Sequence, residues 1–283
     1  MPRQAQRENP LKGRRAPGRL SAMADSTADL FDSVADVYDA SVPFFTTFAR
    51  RLVAWAEPPR GARLLDLGAG RGAVSVAVSE ALGPSCSILA VDVSPRMVGA
   101  LAALPLPRLR ARVMDAQALD LPDASRDTVL SGFALHILPD PGAALRGVAR
   151  VLAPGAALAF STPGPSADGG WWSRYGTIFD EFAALADAPA GMGGPPPDWG
   201  ELAEQAGLRY TRTAATELSL PLDGPEAHWR WLLSHGNRWL HDALGPADRR
   251  AFERRVLHSL AEHHPTRGHS LIAGAVLHEM VRP

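Results

Sequence analysis

Cysteine occurs once in the 283 residues, at Cys86, so the chain can form neither an internal disulfide nor a thiolate-rich zinc site. That usage fits a reducing compartment, and a cytoplasmic location is expected. Lysine also occurs once, at Lys12, and the other 28 cations are arginine, a coding bias rather than a chemical signal. No charge of one sign dominates: 29 cations face 30 anions, for a net charge of -1. The chain as a whole is therefore not built to grip nucleic acid electrostatically, and no nucleic-acid partner is expected. Long apolar runs are missing too. Nothing approaches the ~18–20 residues that a membrane span needs, so no membrane span is expected. What remains is an ordinary globular balance, 46% hydrophobic and 21% charged, long enough for one large core.

The first 22 residues carry Arg3, Arg7, Lys12, Arg14, Arg15 and Arg19 against Glu8, a net of +5 that leaves -6 for the rest. No apolar stretch follows the basic start, so this is no secretory signal. Residues 1–26 read as a disordered tail, or as translated sequence upstream of a start at Met23. A basic arm for nucleic acid or membrane is the sharper alternative.

Structure is expected from near Thr27. Leu30, Phe31, Val34, Val37 and Tyr38 recur at helical spacing, and Phe44, Phe45 and Phe48 continue an apolar face. Strand and helix then alternate. Strands are predicted at 63–67, 87–91, 109–114, 128–133 and 156–161. Helices are predicted at 73–82, from Pro95 with Ser94 as N-cap, and at 142–152. A helix over 201–206, a strand over 208–214 and a last strand over 270–281 follow. This alternation argues for an α/β fold: a Rossmann-like, doubly wound, mostly parallel sheet occupying residues 27–283. Two stretches break the rhythm, near 163–199 and 220–269. They are expected to form helical cap insertions over the C-terminal edge of the sheet, where open α/β sheets bind ligands.

The strongest local signal is Leu64-Leu65-Asp66-Leu67-Gly68-Ala69-Gly70-Arg71-Gly72. Its glycines allow a tight strand-to-helix turn, close backbone approach to a ligand and an exposed helix N-terminus. The spacing Gly68-x-Gly70-x-x-Ala73 also satisfies a dinucleotide fingerprint, so an NAD(P)-dependent oxidoreductase must be weighed. Three carboxylates argue otherwise. Asp66 precedes the glycines, where an anion suits an ammonium group and not a pyrophosphate. Asp92 ends the second strand, placed to accept both hydroxyls of a ribose. Asp115, followed by Ala116, ends the third strand, where it can meet an exocyclic adenine amine. Ammonium, ribose and adenine in that order describe S-adenosylmethionine better than a dinucleotide. Helix capping is the plain alternative for Asp92 and Asp115.

Asp66–Gly72, Val91-Asp92-Val93-Ser94, Met114-Asp115-Ala116, Asp127-Thr128-Val129 leading to Phe133-Ala134-Leu135-His136, and Arg150-Val151-Leu152-x-Pro154-Gly155 together resemble class I S-adenosylmethionine-dependent methyltransferases. The flavour is that of the ubiquinone/menaquinone-biosynthesis type. The likeness runs over about residues 30–163, and Ala153, where the family often has Arg or Lys, is a peripheral departure. It implies transfer of a methyl group to a small-molecule acceptor. It also implies that Asp66 serves the glycine loop and the methionine amine, and that Gly68, Gly70 and Gly72 offer backbone contact. Asp92 would hold the ribose, Val93 and Met97 would pack on the adenosine, and Asp115 and Ala116 would read the adenine. Phe133 would sit by the methionyl end, with Tyr38 folded over the cofactor. A cyclase-like enzyme that binds the cofactor without consuming it would share all of this.

Histidines His136, His228 and His235 are the candidates for a general base facing the acceptor. His228, His235 and His241 do not share one helical face and no HExxH occurs, so no metal site is expected. Trp171, Trp172, Trp199, Trp229, Trp231 and Trp239 lie in the insertions, as cap core or as the wall of an acceptor pocket. The second reading makes the acceptor aromatic or lipophilic.

Overall fold

The computed structural model describes residues 19–186, 196–263 and 269–283. Among these described residues seven strands form one sheet: β1 (Arg63–Leu67), β2 (Ser87–Asp92), β3 (Leu109–Val113), β4 (Arg126–Gly132), β5 (Leu152–Gly164), β6 (Arg209–Pro221) and β7 (Ser270–Val281). Their order across the sheet is β3-β2-β1-β4-β5-β7-β6. The first five run parallel; β7 is antiparallel to both β5 and β6. The helices are α1 (Arg19–Val34), α2 (Phe44–Ala56), α3 (Ala73–Leu82), α4 (Pro95–Ala102), α5 (Pro141–Val151), α6 (Trp171–Ala183), α7 (Trp199–Gln205), α8 (Pro225–Leu232), α9 (Arg238–Ala243) and α10 (Pro246–His263).

Strand parity builds the two layers. Leu65, Leu67, Leu89, Val91, Val129, Leu158 and Phe160 face one way, and pack with Leu145 and Val148 of α5 and Ala203 of α7. Leu64, Ile88, Leu130 and Ala159 face the other way, against Leu52 and Val53 of α2 and Val74 and Val78 of α3. These side chains are almost wholly buried. Each Leu, Ile, Val and Phe among them contributes about 1.5–3 kcal/mol relative to exposure, which fixes the register. Caps set the helix starts: Ser94 accepts from Met97 N–H, and Asp140 from Ala143 N–H at 2.8 Å, each before a proline in the first turn.

A third cluster makes the cap. Helices α6, α8, α9 and α10 bury Trp171, Trp229, Trp231, Leu240, Phe252 and Val256 against Phe44 and Phe48 of α2 and Leu271 and Ala273 of β7. The expected insertion over 163–199 supplies α6, but Trp199 belongs elsewhere. It starts α7 on the α5 side of the sheet, its ring centroid 4.8 Å from that of Phe160. The insertion over 220–269 supplies α8 to α10, while Leu220 and Pro221 extend β6. His278 of β7 ties three strands together, bonding Thr162 Oγ1 on β5 at 2.9 Å and the Tyr210 hydroxyl on β6 at 2.6 Å.

Helix α1 begins well before the expected start near Thr27. No Gly or Pro interrupts 19–34, and an established helix extends at the gain of one hydrogen bond per residue fixed. The tail expected over 1–26 therefore overlaps α1, and its residues 1–18 lie outside the described residues. Among the described residues, no helix is long and apolar enough to cross a membrane.

Candidate functional site

The parallel strands β1, β2 and β4 end together, and β1 lies at the point where the chain turns from one half of the sheet to the other. Ligand crevices form at such points. Past β1 the chain turns through Gly68, Gly70 and Gly72, all at positive φ (67°, 52° and 95°), into α3. Two of these positions also require the missing side chain. A Cβ on Gly68 would collide with Ala134, and one on Gly72 would lie 2.7 Å from Leu104 and 2.8 Å from Leu101.

Asp66 is fully buried beneath this turn. One of its oxygens accepts from Ser75 N–H (3.0 Å) and the Ser75 hydroxyl (2.6 Å), and its other oxygen, Oδ1, has no partner. Burial, opposed by those bonds and reinforced by the Asp92 charge, pushes its carboxyl up to about 7. Asp66 lines neither of the two cavities described below and acts on the turn from beneath, through Ser75. Parity explains this: Asp66 points with Leu64 toward α3, not off the strand end.

Asp92 ends β2 at the mouth of the crevice. It accepts from Gly70 N–H (2.8 Å) and Ser94 N–H (2.9 Å), and burial raises its pKa against the pull of these bonds. Beside it a trough of about 70 Å³ is lined by Asp92, Val93, Met114, Asp115, Ala116, Gln117, Phe133 and Leu135, with Phe31 and Tyr38 closing it from the α1 side. The Asp115 carboxylate accepts from Gln117 N–H at 2.9 Å. Met97 does not line the trough. It is 1% exposed and packs with Val34, Ala35 and Tyr38, holding α1 to α4.

A second cavity, about 250 Å³, runs on from the first between α2 and α3. Tyr38, Gly68, Gly70, Gly132 and Phe133 border both. The second is also lined by Asp39, Phe45, Thr46 and Arg71, none of them read from sequence as a site residue. Phe133 stands at the junction with φ of 55°, a left-handed conformation rare outside glycine, its N–H bonded to Ser161 O and Oγ at 3.2 Å each. Its ring centroid lies 5.7 Å from Phe44, 6.0 Å from Phe45, 5.2 Å from Phe48 and 6.3 Å from His136. Trp231 (5.0 Å from Phe44) and His235 (5.8 Å from Phe45) continue this aromatic wall into the cap.

The methyltransferase domain family matches residues 65–160. Over 253 residues the chain is 30% identical to nocamycin O-methyltransferase of Saccharothrix syringae, covering 83% of this chain and 90% of that one. The chain belongs to the class I S-adenosylmethionine-dependent methyltransferases. A second methyltransferase relative, aklanonic acid methyltransferase of a Streptomyces species, is 33% identical over 148 residues (50% of this chain, 67% of the other). Among solved structures, the [4+2]-cyclase SpnF superposes with a TM-score of 0.59 at 19% identity, covering 95% and 97% of the two chains, a likeness of fold.

This methyltransferase uses S-adenosylmethionine, and the site's chemistry suits that molecule. The trough pairs a carboxylate at the end of β2 with apolar walls and the backbone of Met114–Gln117. Beneath the glycine turn Asp66 accepts from both donors of Ser75 and so braces the turn, its other oxygen unpartnered. The three histidines separate. His136, on a short 3-10 turn after β4, and His235 border the aromatic wall, and burial pushes both imidazoles down to about 4. His228 stands behind it: it is 1% exposed in the cap core, bonded to His269 at 3.1 Å, with Trp171 at 4.5 Å and the wall residue Trp231 at 5.7 Å. Of the cap tryptophans, Trp171, Trp229 and Trp231 are core residues, and Trp231 alone of these contacts a phenylalanine of the wall.

Proposed function

We propose that this methyltransferase alkylates a flat or lipophilic small-molecule acceptor, a secondary metabolite, at oxygen. The observation that carries this is the wall of Phe44, Phe45, Phe48, Phe133, Trp231 and His235, which continues from the cofactor crevice into the cap. A wall with that composition recognises area and shape, with few polar contacts to fix orientation. The motif likeness to ubiquinone- and menaquinone-type enzymes supports a lipophilic acceptor, and the names of the two relatives support a natural product, with oxygen favoured by one of them.

In this reading Asp92 accepts from the ribose hydroxyls, Val93 and Ala116 flank the adenine, and Asp115 with the backbone beside it meets the adenine edge. The backbone of Gly68, Gly70 and Gly72 and the Phe133 ring meet the methionyl end, Asp66 acts from below by fixing the turn through Ser75, and Tyr38 covers the junction. When bound, S-adenosylmethionine supplies an activated methyl group that an acceptor displaces in line. The chain's own task is alignment and exclusion of water, which the aromatic wall and the buried crevice provide. His136 and His235, held neutral, orient an acceptor hydroxyl by hydrogen bonding. They are too weakly basic to pull a proton from a phenol by themselves.

The test is turnover with S-adenosylmethionine against a panel of hydroxylated aromatic and polyketide-like acceptors. It is read as S-adenosylhomocysteine released together with a product one methylene heavier. Products should come from lipophilic acceptors, and Trp231→Ala should raise their KM. Turnover confined to small polar amines or acids would overturn the reading.

A further inference from the structure

The irregular stretch 35–43 joins α1 to α2 and carries Tyr38 over the glycine turn. A Cβ on Gly70 would lie 3.7 Å from the Tyr38 ring. Three tethers hold this stretch. Arg71, between Gly70 and Gly72, donates from Nη1 to the carbonyls of Ala35 (2.8 Å) and Asp36 (3.3 Å). Arg96, in the first turn of α4, donates to Asp32 O at 2.8 Å and pairs with Asp36 Oδ2 at 2.6 Å. Asp39, at φ of 53°, accepts from the N–H groups of Phe45 and Thr46 (3.0 Å each) and from the Thr46 hydroxyl (2.7 Å), which docks the stretch onto the start of α2. Tyr38 then stacks on Phe45 at 4.6 Å with a 12° interplanar angle.

The tethers differ in kind. The Arg96–Asp36 pair is exposed on both sides (49% and 81%), and such pairs contribute little. Asp39 binds within its own neighbourhood in the chain. Arg71 alone of the three starts from the glycine turn itself. Because α1 ends at Val34, the carbonyls of Ala35 and Asp36 fall past the last helical turn, where they need donors from elsewhere. A guanidinium with several fixed N–H groups suits two adjacent carbonyls better than an ammonium does.

We propose that Arg71 is a positioning residue: by holding the carbonyls of Ala35 and Asp36 it keeps Tyr38 over the cofactor crevice, and so sets cofactor affinity without touching the cofactor. This rests on the reading that Tyr38 covers the cofactor. Tyr38 borders both cavities, so displacing it weakens any ligand that occupies either end of the crevice.

The test measures binding of S-adenosylhomocysteine and of 5′-methylthioadenosine, which lacks the amino-acid end, by calorimetry on the full chain. Wild type, Arg71→Ala, Tyr38→Ala and the double variant are compared, with apo melting temperatures as a folding check. Arg71→Ala should weaken both ligands to a similar degree, roughly tenfold, as befits a lost charge-assisted hydrogen-bond pair. The double variant should bind no worse than Tyr38→Ala, since both act through one ring. Arg71→Lys, which keeps a donor, should recover part of the loss, and it stands in if the alanine variant fails to fold. A loss confined to S-adenosylhomocysteine would show direct contact with the amino-acid end and overturn the proposal, as would losses that multiply in the double variant. Weakening in Tyr38→Ala but not in Arg71→Ala overturns it alone. Weakening in neither overturns it together with the placement of Tyr38.

Discussion

Gly70 donates its backbone N–H to Asp92 Oδ2 at 2.8 Å, so the glycine turn after β1 is fastened to the acid that ends β2. One carboxylate thus shapes the turn and, in the proposed placement of the cofactor, also offers its remaining lone pairs to the ribose diol. Asp92→Ala should therefore lose more than one hydrogen bond, raising the Kd for S-adenosylhomocysteine by about a hundredfold. Asp92→Asn, which keeps an acceptor oxygen, should lose roughly tenfold. Calorimetry on the two variants checks this, and equal losses would show that the turn contact plays no part.

Phe133 holds a left-handed backbone conformation while its ring packs on Phe44 and Phe48. Phe133→Ala keeps the strain and loses the ring. Phe133→Gly loses the same ring but relieves the backbone. The glycine variant should therefore be the more stable of the two by about 1 kcal/mol, in the reverse of the usual Ala-over-Gly order. Chemical denaturation separates them. Both should impair turnover, because neither fills the junction of the two cavities.

The imidazoles of His136, His235 and His278 are pushed down by burial to about 4. The unfolded chain then binds more protons than the folded one between pH about 4 and 6.5, so stability falls as pH drops through that window. Melting temperatures across it should show the slope, and His136→Gln should flatten it in part. In turnover, His136→Ala and His235→Ala should each cost less than about tenfold, against the 10²–10⁴ typical of a lost general base. The rate profile should carry no inflection from these groups between pH about 5.5 and 8.

Asp66 works with the opposite sign. Its carboxyl, raised by burial to about 7 from 3.8, keeps its proton in the folded protein where the unfolded chain has lost it. Stability from this group is complete below pH about 4 and is lost as pH rises toward 7. Asp66→Asn keeps an acceptor for Ser75 and removes the buried charge, so it should raise the apo melting temperature at pH 8 more than at pH 5. No difference between the two pH values would mean that the carboxyl ionises freely in the fold.

Much of this architecture was legible because it rests on local signals. The strand run over 63–67, the helix over 73–82 and the Ser94 cap follow from apolar period, glycine punctuation and capping chemistry. They stand at those residues in the fold. The position of Asp66 was legible in principle: alternation along β1 puts it with Leu64, facing a helix. The motif likeness masked that parity. Met97 reads the same way, since its spacing to Leu101 marks the buried stripe of α4. Arg71 and Asp39 were not legible. Arg71 bonds backbone carbonyls of an irregular stretch, and Asp39 lies in that stretch, for which no periodicity exists. The placement of β7 depends on pairing across more than a hundred residues, which no local pattern encodes.

The strand that closes the sheet, β7, is the last in chain order yet lies between β5 and β6. During synthesis the strands that carry Asp66, Asp92 and Phe133's neighbours are complete long before it emerges, and β6 waits without a partner until it does. β7 joins β5 to β6, and the Thr162–His278–Tyr210 bonds depend on it. The sheet is thus divided by sequence separation: the half that carries the glycine turn is built from nearer pairings, and the half beside the cap is joined to it by a strand paired across more than a hundred residues.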